Sequence, residues 1–115
     1  MYKLPKSMIL RSGAEFQRVY KCGRSVANRH IVMYTAKNPR SGGKVGFAAG
    51  KKLGNASIRN RVKRLLRECY RLNRHRLKDG YDLLLVGRKS AVEYSYDTLE
   101  KAFIELAKRS GICLD

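Results

Sequence analysis

Acidic side chains are scarce in this sequence. Nine Asp and Glu stand against 26 Lys and Arg in 115 residues, which leaves a formal charge of +17 and a pI near 10.3. The carboxylates Glu15, Glu68, Asp79 and Asp82 are scattered, each with an ordinary use as cap, ion-pair partner or turn residue. A protein nuclease needs clustered carboxylates for magnesium or a histidine acid/base pair. Neither is evident, so no catalytic and no metal-ligating residue is assigned. His30 begins a strand-like run and His75 ends a charged helix, and each reads as a solvated or phosphate-contacting histidine. The three cysteines, Cys22, Cys69 and Cys113, form no CxxC pair. They argue against a disulfide framework or zinc site and fit a reducing cytosol. No apolar run approaches the roughly 20 residues that span a bilayer, and "MYKLPKSMIL" lacks the long apolar core of a signal peptide. The chain reads as soluble, intracellular and cytoplasmic.

There is also no internal repeat, low-complexity tract or long linker. With 43% hydrophobic content, residues 1–115 make one domain with one modest core. A large charge excess repels itself when the chain compacts, so it points to a polyanionic partner, nucleic acid before any other.

The first helix signal is "SGAEFQRVYK", where Ser12 and Glu15 have capping-box spacing. It ends near Cys22-Gly23, with Gly23 expected in the left-handed conformation that closes a helix. "HIVMYTAK" (30–37) and "KVGFAAGK" (44–51) are strand-like, and the intervening "NPRSGG" predicts a hairpin. "YDLLLVGR" (81–88) is nearly continuous in apolar residues and suits a strand buried on both faces at the centre of a sheet. "SYDTLEKAFIELAKRSG" carries Leu99, Phe103 and Leu106 at helical spacing, with a Ser95 or Asp97 cap and a stop at Gly111. The order is helix, strand, strand, long helix, strand, helix.

The long helix carries most of the charge. "GKKLGNASIRNRVKRLLRECYRLNRHR" (50–76) holds ten Lys or Arg and one acid. At about 100° per residue, Ile58, Val62, Leu65, Leu66, Cys69, Leu72 and Asn73 share one arc. Asn60, Lys63, Arg64, Arg67, Arg71, Arg74 and His75 cluster opposite, with Arg59 and Arg61 at the edges. Glu68 lies at the margin, in reach of Arg64 or Arg71. Solvated helix faces normally mix both signs, and this one hardly does. Arginine grips phosphate with two bonds and stacks on bases, which suits irregular RNA as well as duplex DNA. "GKKLGN" lacks the Gly-Lys-Ser/Thr ending of a phosphate-binding loop.

A second candidate site is aromatic. Phe16 and Tyr20 are one helical turn apart, and Tyr34 is on the first long strand. They can face one groove, where unpaired bases stack without sequence preference, or they can be core, as aromatics at helical spacing often are.

"KKLGNASIRNRVKRLLRECYR" (51–71) resembles the signature of the protein subunit of bacterial ribonuclease P, an Arg-Asn-Arg run followed by Lys-Arg and a later Arg. Those positions are Arg59, Asn60, Arg61, Lys63, Arg64 and Arg67. The likeness continues through "EFQRVYKCGRSVANRHIVMYT" and "YDLLLVGRKSA", and departs from the family at Ser57 and around Ala48 to Gly50. The resemblance implies a protein that helps a catalytic RNA remove the 5′ leader of precursor tRNA. Catalysis then belongs to the RNA and its Mg2+ ions, with no cofactor bound by the protein alone. The implied partners are ribonuclease P RNA and precursor tRNA, with no membrane and no obligate protein partner. The basic helix, with Arg71 as its last member, contacts the RNA. Phe16, Tyr20 and Tyr34 line a cleft for the single-stranded leader, and Phe47, Lys51 and Lys52 complete its wall and rim. The same resemblance implies an α/β (α+β) two-layer sandwich with a small mixed sheet and a left-handed crossover through the long helix, against the usual right-handed preference. A generic RNA-binding or ribosome-associated module shares the charge but needs no aromatic cleft.

Overall fold

Seven helices and strands follow one another in the computed structural model, which describes residues 8–10, 13–38, 43–93 and 95–114. They are α1 (Gly13–Cys22), β1 (Arg24–Ala27), β2 (Ile31–Lys37), β3 (Val45–Ala49), α2 (Ala56–Asn73), β4 (Tyr81–Gly87) and α3 (Tyr96–Arg109). Every expected element is present, and β1 is an addition. "RSVA" is short and mostly exposed, so its strand state rests on backbone pairing with β2 rather than on any apolar pattern.

The expected hairpin does not form. The sheet order is β1-β2-β4-β3, with β4 antiparallel to β2 and parallel to β3. β4 buries Asp82 to Leu85 without a break, and a strand apolar on both faces gains most from a central position. The connection from β2 to β3 therefore spans β4, and the crossover from β3 back to β4 runs through α2. The expected turn at 39–42 and the Ser12 half of the capping box lie outside the described residues.

Gly23 does not adopt the left-handed conformation, since the positive-φ glycines among the described residues are Gly43, Gly54, Gly80 and Gly111. Its backbone N–H closes α1 on the Val19 carbonyl at 3.0 Å. Glycine is needed there for space: a Cβ would stand 2.4 Å from the Val19 carbonyl oxygen and 2.6 Å from that of Thr35. The chain thus turns directly from α1 into the β1 edge. Gly111, at φ +76°, ends α3 as expected.

α2 starts at Ala56, capped by the Asn55 side chain, which accepts from the Ile58 N–H at 3.0 Å. Its core face is Val62, Leu66, Cys69, Tyr70 and Asn73. Tyr70, absent from the expected arc, is buried and meets Phe47 edge-on with ring centroids 6.3 Å apart, while Leu72 is 36% exposed. Asn73 is satisfied where it is buried, donating to the Cys69 carbonyl at 2.9 Å and to Glu100 at 2.8 Å. Tyr96 donates to the same carboxylate at 2.7 Å. These bonds from Asn73 and Tyr96 hold Glu100 below the usual carboxylate range and tie the end of α2 to α3.

One face of the sheet packs Ile31, Met33, Leu83 and Leu85 against α2 and α3 around Phe103. The opposite face carries Ala36 and Leu84 under Val19 of α1. Burial, then the nearby Glu100 carboxylate, pushes the Cys69 thiol up to about 12, and thiolate is the reactive species. Cys113 is also buried, while Cys22 is exposed. At pH 8, maleimide should modify Cys22 alone in the folded protein and all three cysteines after denaturation, counted by mass spectrometry. Modification of Cys69 in the folded state would contradict this packing.

Candidate nucleic-acid interface

α1 crosses the sheet obliquely. Its Phe16 ring lies on β3, where a Cβ on Gly46 would stand 2.8 Å from it. Its Tyr20 ring tilts against Tyr34 of β2 with centroids 5.1 Å apart. Gly46, Leu84 and Tyr34 form one rung across β3, β4 and β2, so the helix spans that rung from β3 to β2. The next rung, Ala48, Val86 and Val32, is only partly buried. Beyond it, exposed Lys51 and Lys52 form a short 3-10 turn after β3.

Phe16, Tyr20 and Tyr34 thus stand beside the half-buried rung of Val32, Val86 and Ala48, on the same face of the sheet. Tyr20 is 56% exposed. Burial, then the Tyr20 hydroxyl, raises the Tyr34 phenol above its ordinary value, so that ring stays neutral and stackable at physiological pH. Phe16 is half-buried: one face is spent on Gly46 and the rest borders open space, so it is both packing and wall. Of these rung residues, Ala48 was marked in the sequence as a departure from the family, while Val32 and Val86 look there like ordinary strand interior.

Phe47 is placed differently from the other aromatics. It pairs with Leu85, whose neighbour across β2 is Met33, so it points to the α2 side of the sheet, away from Tyr34. It still meets Phe16 around the β3 edge. There a groove of about 360 Å³ has Ile9, Leu10, Phe16 and Phe47 on one side and Asn60, Lys63, Arg64 and Arg67 on the other. Ile9 bridges to Val45 and Leu10 N–H donates to the Val45 carbonyl at 2.9 Å, which floors one end of this groove.

The basic residues of α2 divide by partner. Asn60, Arg64 and Arg67 are exposed and Lys63 is half-buried. Arg71 chelates Glu68 through two bonds of 2.9 and 2.7 Å; that bonding holds the Glu68 carboxyl below its ordinary range. Of the two partners in reach of Glu68 in sequence, Arg71 is the one it takes, and the acid stiffens one guanidinium at the rim of the stripe. Arg61 is exposed at one edge and Arg59 is half-buried at the other, with its Nε buried and unbonded among the described residues. Among those residues, no group of three metal-ligating side chains forms, and no helix is long and apolar enough to cross a membrane.

Cations beside aromatics are the combination that unpaired nucleic acid needs in general. Comparison with known proteins specifies which kind. The family model described as Ribonuclease P matches residues 4–111. The chain belongs to the ribonuclease P protein family. It is 46% identical over 103 residues to the ribonuclease P protein component of Natranaerobius thermophilus, covering 90% of each chain. It is 43% identical to that of Clostridium botulinum, covering 90% of this chain and 94% of the other. The fold agrees with the solved ribonuclease P protein of Staphylococcus aureus at a TM-score of 0.85 and 31% identity, over 94% of this chain and 99% of that one. For the Thermotoga maritima protein the TM-score is 0.79 at 30% identity, over 88% and 96%. Like other ribonuclease P protein components, this one is a subunit of an endoribonuclease of tRNA processing whose RNA does the catalysis.

Proposed function

We propose that this ribonuclease P protein binds the catalytic RNA through the α2 face of Arg59, Asn60, Arg61, Lys63, Arg64, Arg67 and Arg71, and holds the single-stranded 5′ leader of precursor tRNA in the cleft of Phe16, Tyr20 and Tyr34. Lys51 and Lys52 supply the cationic rim. The observation that supports this reading is the double position of Phe16, which packs on the same face of the sheet as Tyr34 and lines the groove under Lys63, Arg64 and Arg67. A strand stacked in the cleft leads around the β3 edge directly onto the helix that grips the RNA. Phe47 serves that second groove, and Val32, Ala48 and Val86 give the leader an apolar floor. The two binding functions therefore share a boundary.

The chemistry needs only positioning from the protein. The cleft offers base stacking and the stripe offers phosphate contacts, and neither depends on sequence. Magnesium ions belong to the RNA on this reading, and the complex works in the cytoplasm without an obligate protein partner.

Replacing Tyr34 with Ala in the reconstituted holoenzyme should reduce affinity for precursor tRNA by about 1–3 kcal/mol, the worth of one stacked base. Affinity for mature tRNA, which lacks a leader, should stay nearly constant. Equal losses for both RNAs would remove the leader from this cleft.

A further inference from the structure

α1 has little to hold it. It is ten residues long and buries one side chain fully, Val19, whereas isolated helices shorter than about 12–15 residues are marginal in water. Its polar ties are the more notable. Asp82, on β4, is 2% exposed. It receives the Arg18 guanidinium from α1, the Asn38 amide at 2.9 Å and the Lys44 backbone N–H at 2.8 Å. Lys44 in turn reaches Glu15 of α1 at 2.9 Å. One buried carboxylate thus joins the helix, the end of β2 and the approach to β3.

The arrangement of these ties around the helix gives them a role beyond cohesion. At about 100° per residue, Arg18 and Glu15 fall on one flank of Val19 and Phe16 and Tyr20 on the other. Val19 faces the sheet between them, over Leu84. Val19 is the one fully buried side chain of α1, with the Phe16 and Tyr20 contacts on one flank only, and roll about it is the motion that swings Phe16 and Tyr20 towards or away from the open floor. The two ion pairs on the far flank oppose that motion. Burying a carboxylate is expensive unless it is paired and bonded, and an apolar residue at 82 would continue the run of Leu84 and Val86 on this face; ion pairing instead adds direction.

We propose that Asp82 is a positioning residue for the aromatic cleft: acting through Arg18, it sets the roll of α1 so that Phe16 and Tyr20 stand over the exposed rung of the sheet. The inference rests on the leader-binding reading of the cleft. It concerns geometry alone, since Asp82 lies beneath α1 and does not reach the nucleotide.

The test uses holoenzyme reconstituted with ribonuclease P RNA and reads the ratio of affinities for precursor and mature tRNA. Asp82→Asn and Arg18→Met should each lower that ratio about tenfold, one weakened stacking contact. The double variant, which leaves no unpaired buried charge, should be no worse than either single one because all three break the same tie. Arg18→Lys, which keeps a cation towards Asp82, should retain most of the ratio. Assembly with the RNA should not change. A loss that falls equally on mature tRNA or on RNA assembly would mean that Asp82 only supports the fold, and would overturn the proposal. An unchanged ratio in the double variant, beside a lowered one in Tyr34→Ala, would overturn the positioning role alone. An unchanged ratio in both would overturn the cleft on which it rests.

Discussion

Replacing Arg64 and Arg67 together with Glu should weaken assembly with ribonuclease P RNA by about a thousandfold at near-physiological salt, while the protein stays folded. Both side chains leave the exposed face of α2, on the arc opposite Val62, Leu66 and Cys69, which make its core contacts. A charge-assisted hydrogen bond contributes about 1.5–3 kcal/mol, so two lost phosphate contacts account for a factor of that size, and the introduced carboxylates add repulsion. The salt dependence makes the result specific. Each phosphate contact contributes about 0.7–0.9 to the slope of log affinity against log salt, so the slope should fall by about 1.4–1.8. Filter binding across a salt series, with circular dichroism as the control for folding, reads both quantities. An unchanged slope in a folded double variant would move the RNA face elsewhere on the molecule.

The parts of this protein that were legible in its sequence are those whose signal is local. α2 announces itself through a 3.6-residue apolar period, though its Asn55 cap was not read from the sequence. β4 announces its central place because both of its faces are apolar, and α3 through Leu99, Phe103 and Leu106. What failed to show was pairing. β2 and β3 look like a hairpin because they are neighbours in the chain, yet the strand that both pair with arrives only after α2. β1 has no apolar pattern to read, being a short edge held by backbone bonds to β2. Tyr70 was overlooked on the helical wheel because its phenol sits between the basic and apolar arcs, and Phe47 shows what it finds there only in three dimensions.

The candidate site divides in the same way. Its residue types were visible, since aromatics and arginines are conspicuous in composition. Facing was not: Phe47 has the right chemistry for the cleft and the wrong parity in β3, which follows from its register with Leu85. Asp82 read as a turn residue because Gly80 is close by. Its actual partners, Arg18, Asn38 and Lys44, are 64, 44 and 38 residues away in sequence, beyond any local pattern.

Phe103→Ala should be the most damaging single truncation, costing about 3–5 kcal/mol. Phe103 is the largest of the fully buried side chains and anchors α3 to the sheet face that also carries α2. A domain of this kind has about 5–15 kcal/mol in total, and self-repulsion among charges summing to +17 draws that down in the compact state. The variant is therefore expected to be largely unfolded in low salt. Sulfate should bring it back. A divalent anion that bridges cations gathered by the fold, such as Lys63, Arg64 and Arg67 around their groove, binds the native form and stabilises it by mass action, about 2.7 kcal/mol at a concentration 100 times its dissociation constant. Sodium chloride at the same ionic strength supplies screening without that bridging, so the helical circular dichroism signal should recover further in sulfate, and the wild-type melting temperature should rise further as well. Equal recovery in the two salts would mean that screening alone stabilises the fold and that its cations form no organised anion site. A Phe103→Ala protein as stable as the parent would show that α3 does not depend on this contact.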